Sequence, residues 1–92
     1  MNKPKFPLGQ LVATPGALHA LEESGQSPAF FLEKHVSCDW GDLGEEDKRA
    51  NDEALVTGER LLSAYRTLKG VKIWIITEAD RSSSCVLLPS EY

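Results

Sequence analysis

The densest group of side chains able to move a proton lies between residues 35 and 42. His35 stands near the predicted end of a helix, and Asp39 and Asp42 follow it in the segment SCDWGDLG. A helix C-terminus favours a cationic imidazolium, and a nearby carboxylate would raise the proton affinity of the ring, which suits general acid–base chemistry. In the structural interpretation, which we favour, Asp39 or Asp42 caps the next segment and Trp40 fills the core, because clustered ionisable groups are often structural.

A second polar group follows the second of three predicted strands. It contains Glu78, Asp80, Arg81 and the serines from Ser82 to Ser84. A guanidinium among hydroxyl groups can bind a phosphate or a carboxylate through two hydrogen bonds, and loops on rigid scaffolds often carry binding residues. The alternative is that Arg81 pairs with Glu78 or Asp80 in a solvated turn, where an ion pair contributes little.

The two groups would form a catalytic site if the fold brought them together in a pocket. The candidate catalytic residues are then His35, Asp39, Glu78 and Arg81. His35 would act as acid or base, and Arg81 would stabilise the charge that develops on a phosphorane, as in a metal-independent ribonuclease. Helices followed by a meander also occur in several small toxin nucleases, but fold order is only an analogy. Separated clusters that face solvent would instead favour a binding module.

Metal and cofactor chemistry has little support in this sequence. The possible zinc ligands His19, His35, Cys38 and Cys85 have suitable side chains but lack the short paired spacings of zinc sites. No motif for nucleotide binding or nucleophilic catalysis occurs, so we expect no cofactor and no metal. The two distant cysteines, together with the absence of an export signal or a long apolar stretch, predict a cytoplasmic protein without a membrane partner.

Acidic residues dominate the stretch 39–53. The carboxylates in it are Asp39, Asp42, Glu45, Glu46, Asp47, Asp52 and Glu53, against Lys48 and Arg49. The whole chain has 10 Lys+Arg against 14 Asp+Glu and a net charge of -4, which makes nucleic acid an unlikely partner unless a local basic site exists. An acidic helix face could bind a basic protein, although such a run is commonly a solvated surface.

The elements that position these groups follow from capping signals and periodicity. Thr14-Pro15 and Ser27-Pro28 each begin a helix, and a third is predicted over 45–57, with an acidic first turn and Gly58 as its end. Strands are predicted over 61–67, 71–78 and 84–88, joined by loops of hairpin length. The segment 8–13 is either a short strand or an extended lead-in.

Four segments carry a resemblance to a known group of proteins. They are ATPGALHAL, HVSCDWGDLGEEDKRANDEAL, RLLSAY and WIITEADRSSSCVLLPSEY. Together they resemble a small family of uncharacterised bacterial proteins, some of them labelled plasmid-related, and the resemblance covers nearly the whole chain. It implies a bacterial cytoplasmic protein of a kind carried by mobile elements. It transfers no activity, ligand or catalytic residue.

The sequence thus predicts a single α+β domain over residues 1–92. Two or three N-terminal helices pack on a C-terminal three-stranded antiparallel β-meander, with 1–7 loose, 14–57 mainly helical and 60–89 forming the meander. The expected core residues are Trp40, Trp74, Phe30, Phe31, Leu61 and Ile75.

For function, these patterns favour a non-enzymatic protein-binding or regulatory module, with the ribonuclease-like enzyme as the alternative. The candidate binding residues are Trp40, Asp42, Glu45, Glu46, Asp80, Arg81 and Ser82. The expected partners are a basic protein, bound through 39–53, and a second copy of the chain, bound through an open edge strand.

Overall fold

Capping residues and prolines begin the first two helices where the sequence predicts them. A computed structural model describes residues 4–92, and its helices are α1 (Pro15–Glu23), α2 (Pro28–Val36) and α3 (Glu45–Thr57). The Thr14 side chain accepts a hydrogen bond from the N–H of Ala17 at 3.2 Å, and Gly58 ends α3 in the left-handed conformation. No helix within residues 4–92 is both long and apolar enough to cross a membrane.

The strands form one mixed sheet. They are β1 (Gln10–Ala13), β2 (Leu61–Arg66), β3 (Lys72–Thr77) and β4 (Ser83–Leu87), and a short 3-10 turn follows at Pro89–Glu91. The spatial order is β1-β4-β3-β2, in which β2–β3 and β3–β4 are antiparallel and β1–β4 is parallel. The α+β class is confirmed.

The prediction of a simple three-stranded antiparallel meander was wrong, because β1 adds a parallel strand. The N–H of Gln10 donates to the carbonyl of Ser82 and that of Thr14 to the carbonyl of Val86, both at 2.9 Å. Gly9 permits this approach, since a Cβ at that position would collide with the backbone of Ser82. Four residues of strand are too short for a pattern that could distinguish them from an extended lead-in.

The two faces of the sheet have different neighbours. We call the face under α1 and α2 the covered face; its paired positions include Ser63, Ile75 and Val86. The opposite side, with Ala64, Trp74 and Leu87 at paired positions, is the open face. The covered-face cluster consists of Ala17, Leu21, Phe31, Leu32, Tyr65, Ile73, Ile75 and Val86.

A second apolar cluster joins α3 to the start of β2. It consists of Phe6, Trp40, Ala54 and Leu61. Phe6 is buried, and the N–H of the adjacent Lys5 donates to the Val36 carbonyl at 2.9 Å. The expectation of a loose segment over 1–7 stays a prediction. Residues 1–3 of that segment lie outside the described residues.

The expected core was right for four of its six members. Trp40, Phe31, Leu61 and Ile75 are buried. Phe30 is 49% exposed, and Trp74 lies on the open face, partly exposed and outside both clusters. Phe30 and Phe31 are consecutive on α2, so they point about 100° apart and only one of them can face the sheet.

The two edges of the sheet are treated differently. At β2, the Asn51 side chain donates to the Leu62 carbonyl at 2.7 Å and accepts from the Leu62 N–H at 3.1 Å, while the Trp40 carbonyl and the Asp42 N–H bind the backbone of Ala64. An amide side chain and a loop therefore occupy the edge that another strand would otherwise use. The β1 edge has no such cover, and Leu11 is 54% exposed there.

Candidate functional site

His35 lies in the last turn of α2 and is completely buried, with 0% of its surface exposed. Its Nδ1 is hydrogen-bonded to the hydroxyl of Ser63 on β2, and its Nε2 lies 2.8 Å from the hydroxyl oxygen of Thr77 on β3. Both hydroxyl residues are on the covered face, so the ring fills the space between α2 and the two central strands. Both ring nitrogens are used within the fold.

The hydrogen-bond chain around His35 fixes which atoms donate. The Ser84 hydroxyl donates to the carbonyl of Leu8 at 2.8 Å, and the oxygens of Thr77 and Ser84 are 2.7 Å apart. A hydroxyl has one proton, so Thr77 must donate to Ser84 and accept from Nε2–H of His35. Nδ1 is then the unprotonated nitrogen and accepts from Ser63. The chain is complete with a neutral imidazole, which we assign as the Nε2–H tautomer.

The electrostatics agree with this assignment. Burial and, to a smaller extent, the charge of Arg81 together lower the pKa of His35 from 6.5 to about 4. The expectation that the helix end and a carboxylate would raise the proton affinity was wrong, because desolvation of the charged ring outweighs a helix dipole. At neutral pH the ring is uncharged and has no lone pair left for a substrate proton.

Arg81 binds the protein's own backbone. Its Nη1 donates to the carbonyls of Glu59 at 2.7 Å, Glu78 at 3.1 Å and Ala79 at 3.2 Å, and its Nη2 donates to that of Ala54 at 3.1 Å. Ala54 lies in the last turn of α3 and Glu59 follows its end, and a cation is favoured at a helix C-terminus. The guanidinium therefore attaches the β3–β4 turn to α3. The alternative of pairing with the carboxylates of Glu78 or Asp80 is not what the geometry shows.

The two sequence clusters approach each other in the interior. The ring of Phe6 lies 5.2 Å from the ring of His35, edge to face, and 5.8 Å from the Cζ of Arg81. Arg81 and His35 thus both lie beside the Phe6 ring, and the charge of Arg81 contributes to the lowered pKa of His35. The junction is filled by Phe6, and His35 has no exposed surface, so the arrangement offers a substrate no access to the imidazole.

The remaining residues of the β3–β4 turn maintain its own conformation. The carboxylate of Asp80 accepts the N–H of Ser82 at 3.0 Å, and hydrogen bonds from the side chain and backbone of Ser82 lower the pKa of Asp80. The exposed Glu78 donates its N–H to the carbonyl of Ser83 at 3.0 Å. Arg81 adopts a positive φ of 60°, which is uncommon for a residue other than glycine.

Trp40 is a core residue and not a surface anchor. Its indole Nε1–H donates to the carboxylate of Asp52 at 3.1 Å, and its ring stacks on Phe6 at 6.3 Å between centroids. Gly41 follows with a φ of 74°, at a point where a Cβ would collide with the carbonyl oxygen of Ala64. The loop thus passes close to β2 and leaves Asp39 and Asp42 at the surface.

A shallow groove lies between α2, this loop and the end of β2. We call it the α2 groove and define it by Phe30, Lys34, Asp39, Asp42, Arg66 and Leu68. The Nζ of Lys34 lies 5.2 Å from the centre of the Phe30 ring and 3.8 Å from Asp39, and the Nε of Arg66 lies 3.6 Å from Asp42. The hydroxyl of Tyr65 donates to the carbonyl of Asp39 at 2.5 Å and forms the floor.

Sequence reasoning found the two aspartates of this groove but missed its other members. Phe30 was assigned to the core, although the adjacent Phe31 already occupied that direction of the helix. Leu68, which is 79% exposed, was regarded only as part of a tight turn. Phe30 and Leu68 are both exposed and apolar, and this is the feature that could have indicated the groove. They line the same groove only because α2 packs beside the β2–β3 turn.

The acidic helix α3 begins three residues after Asp42. Its carboxylates Glu45, Glu46, Asp47, Asp52 and Glu53 are all exposed. Asp52 accepts from Trp40, whereas the ion pairs found in residues 4–92 include none of these five side chains. The charge of the helix is therefore directed at solvent.

No metal centre is formed by the residues that the structure describes, since no three His, Cys, Asp or Glu side chains are grouped to bind an ion. Of the possible zinc ligands, His19 pairs with Glu23 at 3.3 Å, and burial raises the pKa of both Cys38 and Cys85. No family model matches the chain, and no curated protein or solved structure matches it either.

Proposed function

We propose that this chain is a non-enzymatic protein-binding module whose partner is a basic protein. The partner would place an apolar side chain in the α2 groove, against Phe30 and Leu68. Its lysines and arginines would face the carboxylates that run from Asp39 to Glu53. The observation that carries this proposal is the exposed ring of Phe30 beside Asp39, followed along the chain by the exposed carboxylates of α3.

The chemistry of the candidate catalytic residues supports this choice. His35 and Arg81 are occupied by hydrogen bonds inside the fold, whereas the side chains that remain free for a partner are apolar or acidic and lie on the surface. The ribonuclease-like alternative would require His35 to exchange protons with a substrate that cannot reach it. That alternative remains a prediction, and a measured nuclease activity that is unchanged in His35→Ala and Arg81→Ala would contradict it.

The first test is a binding comparison at two salt concentrations. Nuclease-treated bacterial lysate is passed over the immobilised protein, the captured proteins are identified, and purified candidates are titrated by calorimetry. For the variant Glu45→Lys/Glu46→Lys we expect an affinity about tenfold lower, at roughly 0.5–1 kcal/mol for each surface charge. Phe30→Ala should weaken binding without weakening its salt dependence, since it removes an apolar contact.

A matched control separates the acidic surface from net charge. Glu22→Lys/Glu59→Lys changes the charge by the same amount on exposed positions elsewhere, and it should bind as the parent protein does. Circular dichroism checks that α3 survives the loss of its acidic first turn. Equal binding by both charge variants and by Phe30→Ala would contradict the proposed site.

Self-association through the β1 edge remains a proposal as well. Leu11 and Val12 are exposed on that strand, and the backbone groups of Leu11 point away from β4 in the parallel register. Sedimentation of the parent protein and of Leu11→Lys would show a dimer that the lysine abolishes, or a monomer in both cases.

A further inference from the structure

The open face combines cationic and aromatic side chains. Strand alternation places Arg66 and Lys72 opposite each other on this face, and the paired Ala64 and Trp74 next to them. Arg60, two residues before Leu62, continues the same row at the other end. From Arg60 to Arg66 the row extends about 20 Å, at roughly 3.3 Å for each residue of strand.

The aliphatic side chains of Ala64, Ile76 and Leu87 on this face are buried, whereas the aromatic and cationic side chains beside them keep exposed surface. The ring of Tyr92 lies 5.9 Å from that of Trp74, at 70° to it, and the Cζ of Arg60 lies 5.5 Å from the centre of the Tyr92 ring. Tyr92 is 67% exposed, and Trp74 is partly exposed. The helices pack against the opposite side of the sheet or along the β2 edge. Along this face, Arg60 is followed by the rings of Tyr92 and Trp74 and then by Lys72. These side chains are therefore open to a ligand.

The charge of this face is opposite to that of the chain. Arg60, Arg66 and Lys72 share it with Glu78, and Arg66 also meets Asp42 at its rim. The excess acidity that gives the chain its net charge of -4 lies mainly on α3 and the loop before it. A net acidic chain thus contains the local basic site that a nucleic-acid role would require.

We infer that the open face binds single-stranded nucleic acid. Arg60 and Lys72 lie against phosphates, and the rings of Trp74 and Tyr92 stack with bases, which is the combination by which such strands are held without sequence preference. An acidic peptide would use the cations but has no need of the rings. A second copy stacked face to face would bring the cations of both copies together, so charge disfavours it.

The experiment measures the anisotropy of a labelled oligothymidylate of about 12 nucleotides at low salt, about 50 mM. We expect saturable binding to the parent protein. Arg60→Glu/Lys72→Glu should lower the affinity by about tenfold or more and should flatten the salt dependence, since two phosphate contacts are removed. Tyr92→Ala should lower the affinity by about fivefold with its salt dependence unchanged, because it removes stacking and not charge.

The matched control is Lys48→Glu/Arg49→Glu, which changes the net charge equally but on α3. It should bind within about twofold of the parent, because these two side chains lie on α3 and not on the open face. Equal loss in both charge variants would overturn the proposal, because net charge alone would then explain binding. An unchanged affinity in Tyr92→Ala would overturn the proposal that its ring stacks with bases.

Two further outcomes identify a different ligand. Equal or tighter binding of a fluorescent poly-glutamate peptide, with Tyr92→Ala without effect, would assign the face to an acidic protein segment. A sedimentation coefficient that rises with protein concentration in the parent and not in Arg60→Glu/Lys72→Glu would assign it to a second copy. Either result overturns the nucleic-acid proposal, as does an absence of anisotropy change at low salt.

Discussion

The two faces of the sheet differ in the polarity of the side chains that they bury. The centre of the covered face carries the hydroxyl groups of Ser63, Thr77 and Ser84, which are buried beneath α2. On the open face Ala64, Ile76 and Leu87 are buried, but the apolar side chains of Trp74 and Cys85 are partly exposed. A strand face is therefore not assigned to the core by hydropathy alone.

Mutual hydrogen bonding explains how the polar groups tolerate burial. His35 joins Ser63 to Thr77, Thr77 joins His35 to Ser84, and the chain ends on the carbonyl of Leu8. Within residues 4–92, no buried side-chain nitrogen or oxygen atom lacks a hydrogen-bond partner. A buried polar group left without its partner costs about 1–3 kcal/mol, so the members of this network depend on one another.

The largest expected effect follows from removing the ring at the centre of this network. His35→Ala leaves a cavity and deprives Ser63 and Thr77 of a partner, so the free energy of unfolding should fall by about 3–5 kcal/mol in denaturant titrations. The matched substitution His19→Ala, at a side chain that is 75% exposed, should change it by less than about 0.5 kcal/mol. A similar decrease in the free energy of unfolding in the two variants would show that the burial of His35 does not make it more important for stability than His19.

Much of the fold could be predicted from the sequence because its signals are local. Thr14-Pro15, Ser27-Pro28 and Gly58 mark helix ends through their own backbone preferences. The parallel pairing of β1 with β4 could not be predicted, since it joins segments about 70 residues apart in a register that only the packed helices determine.

The candidate site was harder to predict for the same physical reason. The types and spacing of His35 and Arg81 indicated reactive groups, but their burial depends on Phe6 and on carbonyls at the end of α3. A sequence shows which groups can titrate or donate; it does not show which of them the fold uses for its own hydrogen bonds. The exposed partner Phe30 was missed because its orientation depends on that of Phe31.

The next effect in size is a pH dependence of stability that comes from the covered face. The folded pKa of His35 is about 4 and its unfolded value is 6.5, so the unfolded chain takes up a proton in this window that the folded chain does not. Stability is then complete above about pH 6.5 and falls as the pH drops towards 4, by about 2 kcal/mol between pH 7 and pH 5. Denaturant titrations across this range measure the slope.

The variant His35→Gln identifies the source of that slope. It cannot take up the proton, so its stability, lower at pH 7, should be nearly constant between pH 7 and pH 5. Hydrogen bonds lower the pKa values of Asp80 and Glu91, so these carboxylates stay ionised through the window and add no slope. If His35→Gln kept the slope of the parent protein, another group would be responsible and the neutral, buried imidazole would be the wrong explanation.

The smallest effect is expected on the open face. Tyr65→Phe removes only a hydroxyl group from the covered side, the one that donates to the Asp39 carbonyl, and should lower the free energy of unfolding by about 1 kcal/mol. Tyr92→Ala removes a whole ring from the open face and should lower it by less than about 0.5 kcal/mol, because that ring is mostly solvated. A ring that contributes so little to folding, yet lies beside Trp74 and Arg60, is available to contribute to binding instead. If Tyr92→Ala were the more destabilising of the two, the open face would be part of the core and not a surface for a ligand.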